Sequence, residues 1–165
     1  MIYDMEFSVA PEMLRPMPGA LDGLRRLQEA GYLLEVITNQ SGVARGLFDE
    51  AGLKAFHDHM VRWFAGRGVC IAAVYYCPHY ENGALEAYAV SCKCRKPEPG
   101  MLLQAAQDLG IDLSQSWMIG DRAADIGAGR AAGCRTIRIG HRTEPTEAAD
   151  DAEVQDLSGA ADFIL

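Results

Sequence analysis

The stretch SWMIGDRAADIGAGRAAGCRTIRIG, Ser116 to Gly140, decides the fold. It opens on a short apolar run, 116–121, that reads as a strand ending at an acid, Asp121. A helix of small residues is expected over 122–133, and 134–140 reads as a strand again. Working outward, the same alternation continues. PGALDGLRRLQEAG places Leu21, Leu24 and Leu27 on one helical face, with Pro18 ahead of it and Gly31 as a stop. Strands are expected at 32–39 and 70–76, with helices after a cap at Asp49 and over 100–110. On the first of these, Leu53, Phe56, Met60 and Phe64 fall at helical spacing. Strands alternating with helices predict an α/β, three-layer, doubly wound parallel sheet. The acidic tail, 141–165, is weakly patterned and is assigned no element.

At 165 residues with 49% hydrophobic and 23% charged residues, the chain fits one soluble globular domain. A net charge of −8 argues against a general nucleic-acid binder, which would carry a basic face. An anionic small molecule is still allowed, because local basic groups can sit in an acidic whole. No apolar run has the length of a membrane span, and MIYDMEFSVAPEM lacks the basic and apolar regions of a signal peptide. A cytoplasmic, reducing location is the default expectation, where clustered cysteines are more often metal ligands than disulfides.

In parallel sheets the chemistry collects past the C-terminal ends of the strands. After 32–39 comes TNQSG, whose Thr38 hydroxyl, Asn39 amide and turn N–H groups through Gln40 and Ser41 suit phosphate oxygens, or make an ordinary polar turn. Arg45 follows between glycine-containing turns and either binds an anion or is solvated. Lys96, after Arg95 in CRKPEPG, precedes proline, which favours an extended segment. It is a fixed positive charge for a phosphoryl group, or a solvated loop lysine. Asp121 and Asp125 share a face if both lie on a starting helix, and hard cations such as Mg²⁺ want their oxygens. The alternative is an N-cap acid with a first-turn acid.

The order of these signals resembles motifs II, III and IV of the haloacid dehalogenase (HAD) superfamily of phosphohydrolases. VITNQSGVARG, CPH followed by CKCRKPEPGM, and MIGDRAADI resemble the branch that holds the heptose-bisphosphate and histidinol phosphatases. The resemblance runs from about Pro18 to Gly140. It implies a HAD-like, Rossmannoid domain with no large cap, acting as a Mg²⁺-dependent phosphomonoesterase on a phosphorylated sugar. The 7-phosphate of heptose 1,7-bisphosphate, in lipopolysaccharide-core precursor synthesis, is the substrate it favours. Histidinol phosphatase activity is the alternative within the same chemistry, and a catalytically inactive phosphosugar-binding relative is the alternative outside it. Thr38 and Lys96 would hold the phosphoryl oxygens as catalytic groups, and Asp121 with Asp125 would hold Mg²⁺. Asn39, Gln40, Ser41, Arg45 and Arg95 would contact substrate. A monomer, with no nucleic-acid or membrane partner, is expected.

Cys77-Pro-His79 and Cys92-Lys-Cys94 form two tight pairs, and three thiolates with one imidazole suit a closed tetrahedral Zn²⁺ site. Spacing alone leaves disulfides open; the resemblance implies a structural zinc on a 77–94 loop. Cys70 and Cys134 read as core cysteines and His57 and His59 as helix residues, while His141 has no assigned role.

The resemblance also implies a nucleophilic aspartate in a D-x-D motif at the end of a central first strand. No such motif precedes Pro18-Gly19 at the expected distance, and the nearest candidate, Asp4-Met5-Glu6, is too close and carries Glu in the second place. The expectation is therefore a single domain whose first strand is missing from the sequence, either because the protein is longer at its N-terminus or because it is a degenerate relative.

Overall fold

Helix α1 spans Ala20–Glu29 and is followed by strand β1, Leu34–Asn39, helix α2, Glu50–Ala65, and strand β2, Ile71–Cys77. Helix α3 (Gly100–Leu109), strand β3 (Trp117–Gly120), helix α4 (Ala123–Ala131), strand β4 (Arg135–Ile139), strand β5 (Ala152–Val154) and helix α5 (Leu157–Ile164) complete the order. The structure, a computed structural model, describes Met1, residues 8–140 and residues 150–165. Asp4, Glu6 and His141 lie outside the described residues.

The local chemistry explains the boundaries. Leu24 and Leu27 are buried on α1. Gly31, at φ +93°, takes the left-handed turn that ends the helix. β1 starts later than the apolar run because the Tyr32 amide still bonds the Leu27 carbonyl of the helix end at 3.0 Å. On α2 the Asp49 carboxylate accepts from the Gly52 amide at 2.7 Å, while Leu53, Phe56, Met60 and Phe64 turn inward.

Every strand pairing among the described residues is parallel. β1 pairs with β2, and β4 lies between β3 and β5. Helices cover both faces. One core joins Leu24 and Leu27 of α1, Phe56, Met60 and Phe64 of α2 and Ala160 and Ala161 of α5 with Leu34, Ile71 and Ile137 from the sheets. The opposite core joins Leu102 of α3 and Ala128 of α4 with Met118 and Cys134. α1 and α5 approach so closely that a Cβ on Gly23 would lie 2.2 Å from the Leu157 carbonyl oxygen.

The acidic tail carries β5 and α5 from residue 152 onward, which corrects the reading that gave it no element. Its elements are short; β5 is paired by β4, and α5 is packed against α1. The Thr136 amide and hydroxyl both donate to the Asp151 carboxylate, at 2.6 and 3.0 Å. Arg138, 1% exposed, donates through Nε to Asp150 at 2.8 Å. Asp156 then caps α5 on the Gly159 amide.

Among the described residues the two sheets do not join. β1 and β3 are each paired on one side only among the described residues, and between them runs a cavity of about 940 Å³. Its walls include Leu34, Val36 and Thr38 of β1 and Trp117, Ile119 and Gly120 of β3. The Glu35 carboxylate, which lines it too, has a buried oxygen without a hydrogen-bond partner, as does the Trp117 indole N–H. No helix among the described residues is long and apolar enough to cross a membrane.

Candidate active site

The polar end of this cavity is built from loops that follow β1, β2 and β3, where a parallel sheet directs its strand ends. Thr38, Asn39, Gln40, Ser41, Arg45, Arg95, Lys96, Asp121 and Asp125 all line it. The residues singled out for phosphate chemistry therefore converge on one place.

Several of them are engaged with one another. The Gln40 amide donates to Thr38 Oγ1 at 3.1 Å. Asn39 donates to the Lys96 carbonyl at 3.1 Å and accepts from the Lys96 amide at 3.0 Å, so its carboxamide is spent on fixing that loop. Arg45 Nε reaches Ser41 Oγ at 3.4 Å.

Lys96 lies in a turn, not the extended segment expected ahead of proline. The Glu98 amide closes on the Arg95 carbonyl at 2.9 Å, and the Lys96–Pro97 peptide is cis. The ammonium is anchored on two sides, donating to the Ile37 carbonyl at 2.6 Å and pairing with Asp125 Oδ1 at 2.6 Å. Both side chains are 9% exposed.

Asp121 and Asp125 play different parts. α4 begins at Ala123, so Asp121 lies ahead of the helix and the two do not form a helical i, i+4 pair. Asp125 caps the helix through the Arg122 amide at 3.0 Å, and its other oxygen is taken by Lys96. It fits here because Gly120 has no side chain; a Cβ there would lie 2.3 Å from the Asp125 Cβ. Asp121 is exposed at the cavity. Arg138 Nη1 approaches its carbonyl at 3.5 Å, a support invisible in the sequence. Magnesium demands near-octahedral oxygen ligation. With Asp125 committed, Asp121 is one carboxylate, and the described residues alone do not complete a magnesium site.

The cysteine cluster is a better-formed metal site. Cys77, His79, Cys92 and Cys94 present ligand atoms all within 4.8 Å of one another. Cys94 Sγ is 3.1 Å from Cys77 Sγ and 3.3 Å from Cys92 Sγ, and His79 Nδ1 is 3.4 Å from Cys94 Sγ. These separations exceed the ~2.05 Å of a disulfide. They are of the order imposed by four ligands ~2.0–2.3 Å from one tetrahedral Zn²⁺. Burial pushes the Cys77 thiol up, with the Cys94 thiol adding to the rise. Burial also opposes ionisation of Cys92, but hydrogen bonds from Cys94 and the Arg95 backbone outweigh it and bring that thiol down to about 7. Cys134 is buried in the smaller core, while Cys70 is exposed, contrary to its reading as a core residue.

Two further groups complete the electrostatics. The Met1 α-amino group lines the cavity; burial lowers its pKa against the raising influence of Asp121 and Asp125. His57 is held down to about 4 by burial, with Asp58 opposing weakly; its ring packs 5.6 Å from that of Tyr76, as a core histidine.

A HAD-hydrolase-like family model matches residues 93–162. A D-glycero-beta-D-manno-heptose-1,7-bisphosphate 7-phosphatase of Rhodopseudomonas palustris is 44% identical over 137 residues, covering 83% of this chain and 76% of the relative. The Escherichia coli K12 protein of that name is 41% identical over 150 residues, covering 89% and 73%. The crystal structure of a D,D-heptose 1,7-bisphosphate phosphatase from B. bronchiseptica, complexed with magnesium and phosphate, superposes with TM-score 0.83 at 32% identity, covering 99% of this chain and 91% of that one. A corresponding phosphatase from Burkholderia thailandensis gives 0.67 at 31%, covering 93% and 89%.

Proposed function

We propose a function from one premise: the chain belongs to the HAD-type phosphatases, the family of these relatives. Its reaction is hydrolysis of a phosphate monoester, and its substrate is heptose 1,7-bisphosphate, cleaved at the 7-phosphate. The observation that carries this reading is the convergence of Thr38, at the end of β1, Lys96, in the loop ahead of α3, and Asp121, just past β3, on one end of one cavity.

The roles follow from the chemistry of the groups. Lys96 is buried and tethered, so its charge meets a phosphoryl group without having to be immobilised first. The Thr38 hydroxyl, oriented by Gln40, offers a second donor. Arg45 and Arg95, on the same wall, suit the second phosphate, because a planar guanidinium grips phosphate oxygens in pairs. Asp121 would contribute an oxygen to Mg²⁺, which when bound neutralises phosphoryl charge. The four-ligand cysteine cluster would hold a structural zinc, its four side chains leaving no position for catalysis.

The family's aspartate nucleophile has no counterpart among the described residues at this end of the cavity. We read the gap between β1 and β3 as the place of a further strand, parallel to both and ending in D-x-D beside Asp121. What supports this is a space walled by two strands whose facing edges are unpaired among the described residues, and by the buried Glu35 and Trp117 polar atoms that have no partner there. A second reading, binding of the phosphosugar without turnover, is favoured by the commitment of Asp125 to Lys96.

The test is phosphate release from heptose 1,7-bisphosphate and from histidinol phosphate, with Mg²⁺. It is run on the folded chain as written and on a version extended by a strand ending in D-x-D. Release by the extended version alone, with preference for the heptose substrate, is expected. Release by neither, with retained ligand binding, would move the assignment to a binding protein. Preference for histidinol phosphate would overturn the substrate.

A further inference from the structure

We infer that Tyr80 is a specificity-determining, positioning residue that holds Arg45 and Arg95 together as one anion clamp. The inference rests on the reading that these two arginines take the substrate's second phosphate.

The guanidinium carbon of Arg45 lies over the Tyr80 ring, 4.3 Å from its centroid, and that of Arg95 lies over the same ring at 5.2 Å. One arginine belongs to the loop after β1 and the other to the loop ahead of α3. A single aromatic ring thus gathers two like charges from segments far apart in sequence. Attraction between each cation and the ring quadrupole offsets part of their mutual repulsion. Tyr80 does not itself line the cavity, whereas both arginines do. It acts through them.

The backbone that carries the ring is fixed by hydrogen bonds on both sides. The Tyr80 amide donates to the Tyr88 carbonyl at 3.1 Å, and the Gly83 amide donates to the Tyr80 carbonyl at 2.8 Å. The Leu85 amide donates to the carbonyl of Ala44, the residue next to Arg45, at 2.9 Å. Tyr88 and Tyr76 hydroxyls both donate to the Glu50 carboxylate, at 2.8 and 2.9 Å, docking the loop on α2. Arg95 is steadied further by its Nη1 bond to the His79 carbonyl at 3.1 Å. The loop that carries the cysteine cluster therefore also sets where the two guanidinium groups point. Ordering two long side chains before the ligand arrives removes a cost otherwise met on binding.

The experiment is calorimetric titration of the full zinc-loaded chain with heptose 1,7-bisphosphate. Tyr80→Ala, Tyr80→Phe, the double variant Arg45→Ala/Arg95→Ala, and the triple variant with Tyr80→Ala are compared. Tyr80→Ala should weaken binding about tenfold, Tyr80→Phe should restore it, and Tyr80→Ala should add nothing once both arginines are gone. An undiminished affinity in Tyr80→Ala, while the double arginine variant binds weakly, would overturn the role of Tyr80 and leave the arginine reading intact. An equal loss with and without the arginines would reduce Tyr80 to a structural residue and overturn the clamp. Unchanged affinity in the double arginine variant, or no binding by the unsubstituted chain, would remove the arginine reading itself, and the clamp with it.

Discussion

Lys96 Nζ lies 2.6 Å from Asp125 Oδ1, with both side chains 9% exposed. The pair ties the loop ahead of α3 to the first turn of α4 and sets a positive charge at the polar end of the cavity. Lys96 also reaches the Ile37 carbonyl and Asp125 the Arg122 amide, so each charge has a second partner.

Removing one partner leaves the other charge buried and uncompensated, at a cost of about 3–5 kcal/mol. Lys96→Met and Asp125→Asn should each lower the urea midpoint strongly, and the double variant should lose less than their sum. Additive losses would mean that the pair does not couple.

The cysteine cluster should carry one zinc per chain in protein purified without chelators. Cys77→Ser or Cys94→Ser should abolish that stoichiometry, lower the melting temperature and open residues 77–94 to protease. Metal analysis and thiol titration check this. Absence of zinc together with freely reacting thiols would refute the site.

His57 makes stability pH-dependent. Its folded pKa is about 4 against an ordinary 6.5, because burial disfavours the imidazolium. Between those values the unfolded chain binds the extra proton, so this contribution is complete above pH ~6.5 and is lost as pH falls toward 4. The full effect is roughly 3 kcal/mol. His57→Leu should flatten the stability profile across that window relative to the unsubstituted chain. Identical slopes would contradict the assignment.

Gly23→Ala tests the α1–α5 contact. A Cβ 2.2 Å from the Leu157 carbonyl forces the helices apart, at a cost of about 1–3 kcal/mol. Thermal unfolding should register a clear drop; an unchanged midpoint would mean that α5 yields freely.

Much of this was legible in the chain because it is local. Pro18 and Gly31 bracket α1, Asp49 caps α2, and Leu53, Phe56, Met60 and Phe64 mark its buried face. Thr38, Lys96 and Asp121 became candidates because parallel strands deliver their ends to one side and because their order along the chain resembles that of a known family's motifs. β5 and α5 escaped notice because their stability is borrowed: Thr136, Arg138 and Gly23 supply the partners, and none is near in sequence.

By itself the sequence determined the alternation of strands and helices and the helix stops, and its resemblance to a known family made Thr38, Lys96, Asp121 and the four cysteine-cluster residues candidates. The alternation and the stops are written in residue type and short-range spacing; the candidates rest on the order of motifs along the chain. Only the tertiary structure decided that Asn39 serves the Lys96 backbone, that Asp125 is committed to Lys96, and that one tyrosine gathers Arg45 and Arg95. It also decided that a cavity separates β1 from β3. The physical reason is that a hydrogen bond, an ion pair or an unpaired strand edge depends on which distant segments meet. Propensity and periodicity carry no record of that meeting.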